Sequence, residues 1–240
     1  MILGGKITDM MPHYETIKYF DDFLCERHVG CETNAVCKWL KDRGRDNITY
    51  IDIGANVGKF HDVLSRKFKI NHCIMIEPCK ILYDYLVSKF SGKPGIEIYN
   101  IALSDINGVM SFNSDSVTHA LQGGIKDSLN LGLSKLGNKG IDISVRNCFD
   151  FLVEHIDTSS DVIDLIKIDT ENRDYNILKV LVPFVSNLKD KPIICFEHNY
   201  HNDMEKDVAS KILYDFTQIC NYQPVDFDKL HGDSFLLPNI

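Results

Sequence analysis

Short apolar runs alternate with amphipathic stretches along most of this chain, and that rhythm predicts a layered α/β fold. Ile48–Ile53 is a β-branched apolar run of the kind that forms a strand buried on both faces. An amphipathic helix follows over residues 58–68, a second strand over Cys73–Ile76, and a second helix over Cys79–Phe90. Gly92, Pro94 and Gly95 end that helix, and Ile96–Leu103 reads as the third strand. After an interruption the pattern resumes with a strand at Val162–Ile168, a helix at Tyr175–Leu181 closed by Pro183, and a strand at Pro192–Phe196. A strongly periodic helix, Met204–Cys220, leads into two short strands, Tyr222–Phe227 and Ser234–Leu237, that read as an antiparallel pair. Strands and helices alternating at these lengths argue for a mostly parallel sheet with helices on both faces.

Two regions stand outside the rhythm. Residues 1–46 read as an N-terminal helical cap region, with Phe20–Arg43 helical and Gly44 ending the helix, and residues 47–240 as the main domain. Between Asp105 and Asn147, an Asn107-Gly108 turn predicts a hairpin between Ile106–Val109 and Met110–Phe112. Residues 113–140, rich in Ser, Gly and Asn, then form a loop too long for a plain connection, which points to a substrate-side role. Ile141–Val145 alternates as a strand, and Cys148–His155 reads as a short helix.

The chemistry gathers where strands end, because ligands of open α/β sheets lie beyond the carboxyl ends of their strands. Gly54 and Gly58 bracket a tight turn between the first strand and its helix, a place where backbone can approach a nucleotide closely. A dinucleotide turn carries G-x-G-x-x-G, whereas Asn56 stands at the middle position here. Asp52 would repel a pyrophosphate but suits a ligand bearing an ammonium group, which favours S-adenosylmethionine over NAD. About twenty residues on, Glu77 before Pro78 ends the second strand where a carboxylate can accept both ribose hydroxyls. Ser104 and Asp105, at the third strand end, can bond an adenine amino group or merely close an Asx turn; the backbone of Ala102 and Leu103 is the alternative ring contact.

Asp169 and Glu171 share the next strand end and repel each other unless a cation such as Lys167 or Arg173 lies between them. Functionally they face a transferred group and can position or deprotonate a hydroxyl. Glu197, His198 and Asn199 end the neighbouring strand, where His198 could serve as general base. Asp169, Glu197 and Asn199 could also hold a divalent cation through oxygen ligands. His119 in the long loop is an outlying candidate for substrate contact.

These segments together resemble the FkbM-type methyltransferases: Asp52–Gly58, Glu77-Pro78, Ala102-Leu103-Ser104-Asp105 and Lys167-Ile168-Asp169-Thr170-Glu171. The family's K-I-D-x-E-G segment is matched except at its glycine, which is Asn172 here, and its later acid is Asp174. The resemblance implies a Rossmann-like class I methyltransferase with a seven-stranded sheet. It implies S-adenosylmethionine as cofactor and O-methylation of a hydroxyl on a sugar, glycan or small natural product. Two rivals remain: a binding module that keeps the fold without turnover, and an NAD-dependent oxidoreductase, which Asn56 disfavours.

Composition narrows the partners. The chain has 240 residues and a net charge of −8 with no basic run, so nucleic acid is not an expected partner. No apolar run is long enough to cross a bilayer, and Asp9, His13 and Glu15 make the first twenty residues unlike a signal peptide. Eight cysteines without a C-x-x-C pair, several inside apolar runs, predict reduced, buried thiols and a cytoplasmic setting. Cys25, Cys31 and Cys37 near His28 fit no common zinc spacing.

Overall fold

A computed structural model describes residues 31–113, 135–137, 140–170, 173–197, 203–228 and 233–239. The elements in order are α1 (Cys31–Asp42), β1 (Asn47–Ile53), α2 (Lys59–Ser65), β2 (Lys69–Ile76), α3 (Lys80–Phe90), β3 (Ile96–Tyr99) and β4 (Ala102–Ser104). There follow β5 (Gly108–Asn113), β6 (Lys135–Gly137), β7 (Ile141–Asn147), α4 (Cys148–His155), β8 (Leu165–Ile168), α5 (Asp174–Ser186), β9 (Ile193–Glu197), α6 (Asp203–Cys220), β10 (Tyr222–Asp228) and β11 (Asp233–Pro238).

The main sheet has seven strands in the order β10-β11-β9-β8-β1-β2-β3. β1 runs parallel to β2 and β8, β8 to β9, and β2 to β3, while β11 is antiparallel to both of its neighbours. This is the doubly wound, mostly parallel sheet expected from the alternation. Side chains alternate across it with period two. Ile51, Ile53, Ile74, Ile166, Ile168 and Phe196 face α4, α5 and α6. Ile48, Tyr50, Cys73, Met75 and Leu165 face α1, α2 and α3. Each such buried side chain contributes about 1.5–3 kcal/mol through removal of apolar surface from water. Among the described residues no helix is long and apolar enough to cross a membrane, and Cys37, Cys73, Cys79, Cys148, Cys195 and Cys220 are free and buried.

Three expectations need correction. The run 96–103 is two strands, because the chain turns at Asn100, whose side chain donates to the Glu77 and Pro78 carbonyls (2.9 and 3.0 Å). β3 stays in the main sheet, and β4 enters a second, four-stranded sheet ordered β4-β7-β5-β6. The Asn107-Gly108 turn does not join a hairpin of its own flanks. Instead β7 lies between them, parallel to β4 and antiparallel to β5. Pro183 does not close its helix but sits inside α5. There it is exposed, as is Lys179 one turn before it, so the carbonyl that loses its N–H partner faces water. The expected helix over residues 20–30, His119, the Cys25 and His28 pair and most of residues 113–140 lie outside the described residues.

Candidate active site

Because β1, β2, β8 and β9 run parallel, their carboxyl ends meet on one edge and bring Gly54, Glu77, Asp169 and Glu197 together. Alternation decides which side these groups take. Asp52 pairs in register with Met75 on one side and Lys167 on the other, so the polar tip of the α1–α3 face carries Asp52 and Lys167.

The turn after β1 winds through three left-handed residues, Gly54 (φ 84°), Asn56 (φ 51°) and Gly58 (φ 75°). Asn tolerates that conformation best among residues with a side chain, which is how position 56 does without glycine. The N–H groups of Gly54 and Ala55 both donate to the Ile76 carbonyl (2.9 and 3.0 Å), and that of Gly58 to the Ala55 carbonyl (2.8 Å). The Asn56 N–H donates to Glu77 Oε2 at 2.8 Å. Two lysines hold the carbonyls: Lys167 Nζ donates to the Gly54 oxygen (3.1 Å) and Lys89 Nζ to the Val57 oxygen (2.8 Å). Lys89 also pairs with Asp62 at 2.6 Å. Sequence reasoning missed Lys89, whose place on α3 gives no local sign that it reaches across to this turn.

Gly54 has a different reason to be glycine from the one expected. A Cβ there would lie 1.9 Å from the Asp169 carbonyl oxygen. The residue therefore allows the ends of β1 and β8 to touch, rather than opening space for a ligand. Asp52 also departs from expectation. Its side chain is wholly buried, and the ammonium beside it is the chain's own: Lys167 Nζ lies 3.2 Å from Asp52 Oδ1 and 3.3 Å from Asp169 Oδ2. Burial pushes the Asp52 carboxyl above its usual range while Lys167 pulls it back. For Lys167, burial alone would lower the pKa, but Asp52 and Asp169 carry it above the ordinary lysine value.

Glu77 is buried and grips two loops, with Oε2 on Asn56 N–H and Oε1 on Cys79 N–H (2.8 Å each). Burial pushes its carboxyl up to about 7 against the pull of those two N–H groups. Each carboxylate oxygen retains a second lone-pair position.

At the third strand end, Asp105 accepts from Asn176 Nδ2 (3.1 Å) and from Ser104 Oγ (3.3 Å), with Lys179 at 3.5 Å. These contacts fasten β4 to α5. Ala102, Leu103 and Ser104 are buried beside them.

Asp169 keeps its side chain about half exposed. Asp174, which sequence reasoning noted only as a departure from a motif, proves to be a buried link. Its Oδ2 accepts from Thr170 Oγ1 (2.8 Å) and its Oδ1 from the Glu197 N–H (3.4 Å), tying together the ends of β8 and β9. Burial, with Asp169 nearby, raises its pKa. Glu171, His198 and Asn199 lie outside the described residues. Among the described residues no three His, Cys, Asp or Glu side chains converge as a metal site requires.

Comparison with a solved structure comes to the same fold. The FkbM methyltransferase of Methylobacillus flagellatus KT is 16% identical with a TM-score of 0.51, over 96% of this chain and 59% of that one. An O-methyltransferase from Bacillus cereus in complex with S-adenosylhomocysteine is 13% identical with a TM-score of 0.47, over 98% of this chain and 91% of that one. This chain thus spans 59% of the length of the Methylobacillus protein. No curated protein matches it. The model of the methyltransferase FkbM domain matches residues 52–225, and the chain belongs to that family.

Proposed function

We propose that the chain is an S-adenosylmethionine-dependent methyltransferase acting on a hydroxyl of a sugar, glycan or small natural product. The observation that carries the cofactor is the use of the turn's own N–H groups. Those of Gly54, Ala55, Asn56 and Gly58 are all bonded within the protein, so these four are not offered to a pyrophosphate, which demands free donors. A nucleoside ligand without phosphates fits it, and Glu77 beside it suits the ribose. The acceptor class and the choice of oxygen rest on the family resemblance.

When bound, the cofactor supplies a methyl group on a positively charged sulfur. The chain's part is to hold the acceptor hydroxyl in line with that methyl and to take its proton. Asp169 suits both tasks, being fixed by Lys167 on one side and open on the other. Glu197 ends the adjacent strand, and Asp174 holds the two strand ends in register. Glu171 and His198 follow these in sequence and are the further candidates for the base.

Titration calorimetry with S-adenosylmethionine, S-adenosylhomocysteine and NAD tests the reading. Both adenosyl ligands should bind and NAD should not; binding of NAD alone would overturn it. S-adenosylhomocysteine formed against a panel of hydroxylated glycans would establish turnover. Cofactor binding with no product on any acceptor would favour the module without turnover.

A further inference from the structure

We propose that Lys167 is a positioning residue of the cofactor site, a built-in cation that holds the Gly54 carbonyl and aims Asp169. The inference rests on the cofactor reading above. One ammonium lies 3.1 Å from the Gly54 oxygen, 3.2 Å from Asp52 and 3.3 Å from Asp169, thereby joining the ends of β1 and β8. Its side chain is 14% exposed, and Asp52 is wholly buried with no hydrogen bond of good geometry at either oxygen. Among the described residues no other cation pairs with Asp52.

The charge count explains why the arrangement serves a cationic ligand. Asp52 and Asp169 carry two negative charges and Lys167 one positive, so one negative charge remains. Asp169 is the only one of the three with substantial exposure. Of these two acids only Asp169 is open to a ligand, and Asp52 acts on it through the lysine. The second lysine works alike: Lys89 holds the Val57 carbonyl at the far end of the same turn. With four of its N–H groups bonded inside and two carbonyls on ammonium groups, the turn is set before the ligand arrives, and less ordering accompanies binding.

A structural counter-ion for Asp52 would occupy the same place, so the test separates the two roles. Lys167→Met leaves Asp52 buried without its partner, and both melting temperature and cofactor affinity should fall. Asp52→Leu/Lys167→Met replaces the buried pair with an apolar pair, a change that is often neutral for stability. Its melting temperature should recover to near that of Asp52→Leu, while its S-adenosylhomocysteine Kd should remain at least about fivefold weaker than that of Asp52→Leu. Recovery of affinity along with stability would overturn the proposal, leaving Lys167 a counter-ion only. Failure of the unmodified protein to bind either adenosyl ligand would instead overturn the cofactor reading, and the proposal with it.

Discussion

In the proposed cofactor site, Glu77 serves two ends that oppose each other. Its buried carboxyl titrates at about 7, above the ordinary glutamate value of 4.5. A folded pKa raised above the unfolded one favours folding at low pH. That contribution is fully present below about 4.5 and is lost as pH rises through about 7, a change of roughly 3 kcal/mol. Ribose hydroxyls would donate to the same oxygens and favour the ionised form, so ligand binding has the opposite dependence. S-adenosylmethionine affinity should rise about tenfold between pH 6 and pH 8. Calorimetric Kd across that range is the check, and a flat profile sinks the ribose assignment. Glu77→Gln keeps the shape but offers one accepting oxygen for two backbone N–H groups. Its melting temperature should fall because those bonds weaken, its affinity should drop roughly tenfold or more, and the pH dependence should vanish.

Among the elements, α2 shows how tightly the turn and the packing are joined. It begins at Gly58 and buries Phe60, His61, Val63 and Leu64. His61 takes part as a neutral ring, its Nδ1 2.7 Å from the Tyr50 hydroxyl and its face 4.7 Å from Phe90. A Cβ on Gly58 would lie 2.7 Å from Phe90 Cε2 and 2.9 Å from Leu86 Cδ2. Gly58→Ala must therefore accept a left-handed backbone and push α3 away, costing about 2–3 kcal/mol together. A fall in Tm of about 5–10 °C is expected, with weaker cofactor binding because the helix start is also the end of the turn. An unchanged Tm would mean that α3 yields without cost.

At the scale of the molecule, the two edges of the sheet have separate duties. The edge opposite the site is closed by a charge network at the starts of β1, β8 and β9. Asp190 accepts from Arg43 (2.9 Å) and from Arg45, Arg45 pairs with Asp164 (2.9 Å), and Asp164 Oδ2 accepts from the Thr49 N–H (2.9 Å). Asp190→Ala leaves two partly buried guanidinium groups without that partner, and should cost about 1–3 kcal/mol. Because the proposed cofactor site lies at the other edge, S-adenosylmethionine affinity should stay within about twofold of the unmodified protein. A thermal melt beside a calorimetric titration checks both, and a large loss of affinity would show that the edges are coupled.

What the sequence by itself determined is what short windows encode. Apolar alternation predicted the strands and the helices that cover them. The span Cys148–His155 was legible to the residue because Asn147 caps the helix locally, accepting from the N–H groups of Phe149 and Asp150. Positions 52, 54, 56, 58 and 77 were legible as a group because one strand-turn-helix unit and the next strand carry them all. Tertiary structure decided what depends on partners far along the chain. The ammonium beside Asp52 comes from Lys167, 115 positions on, so no local pattern could show that the acid's partner was internal. The link from Asp174 to Glu197, and the parting of β4 from β3, likewise depend on which strands lie side by side. The atoms that decide Gly54 belong to Asp169, and only the register of β1 against β8 brings them within 2 Å of a would-be Cβ. Periodicity fixes which face a residue takes; pairing across the sheet fixes what it meets there.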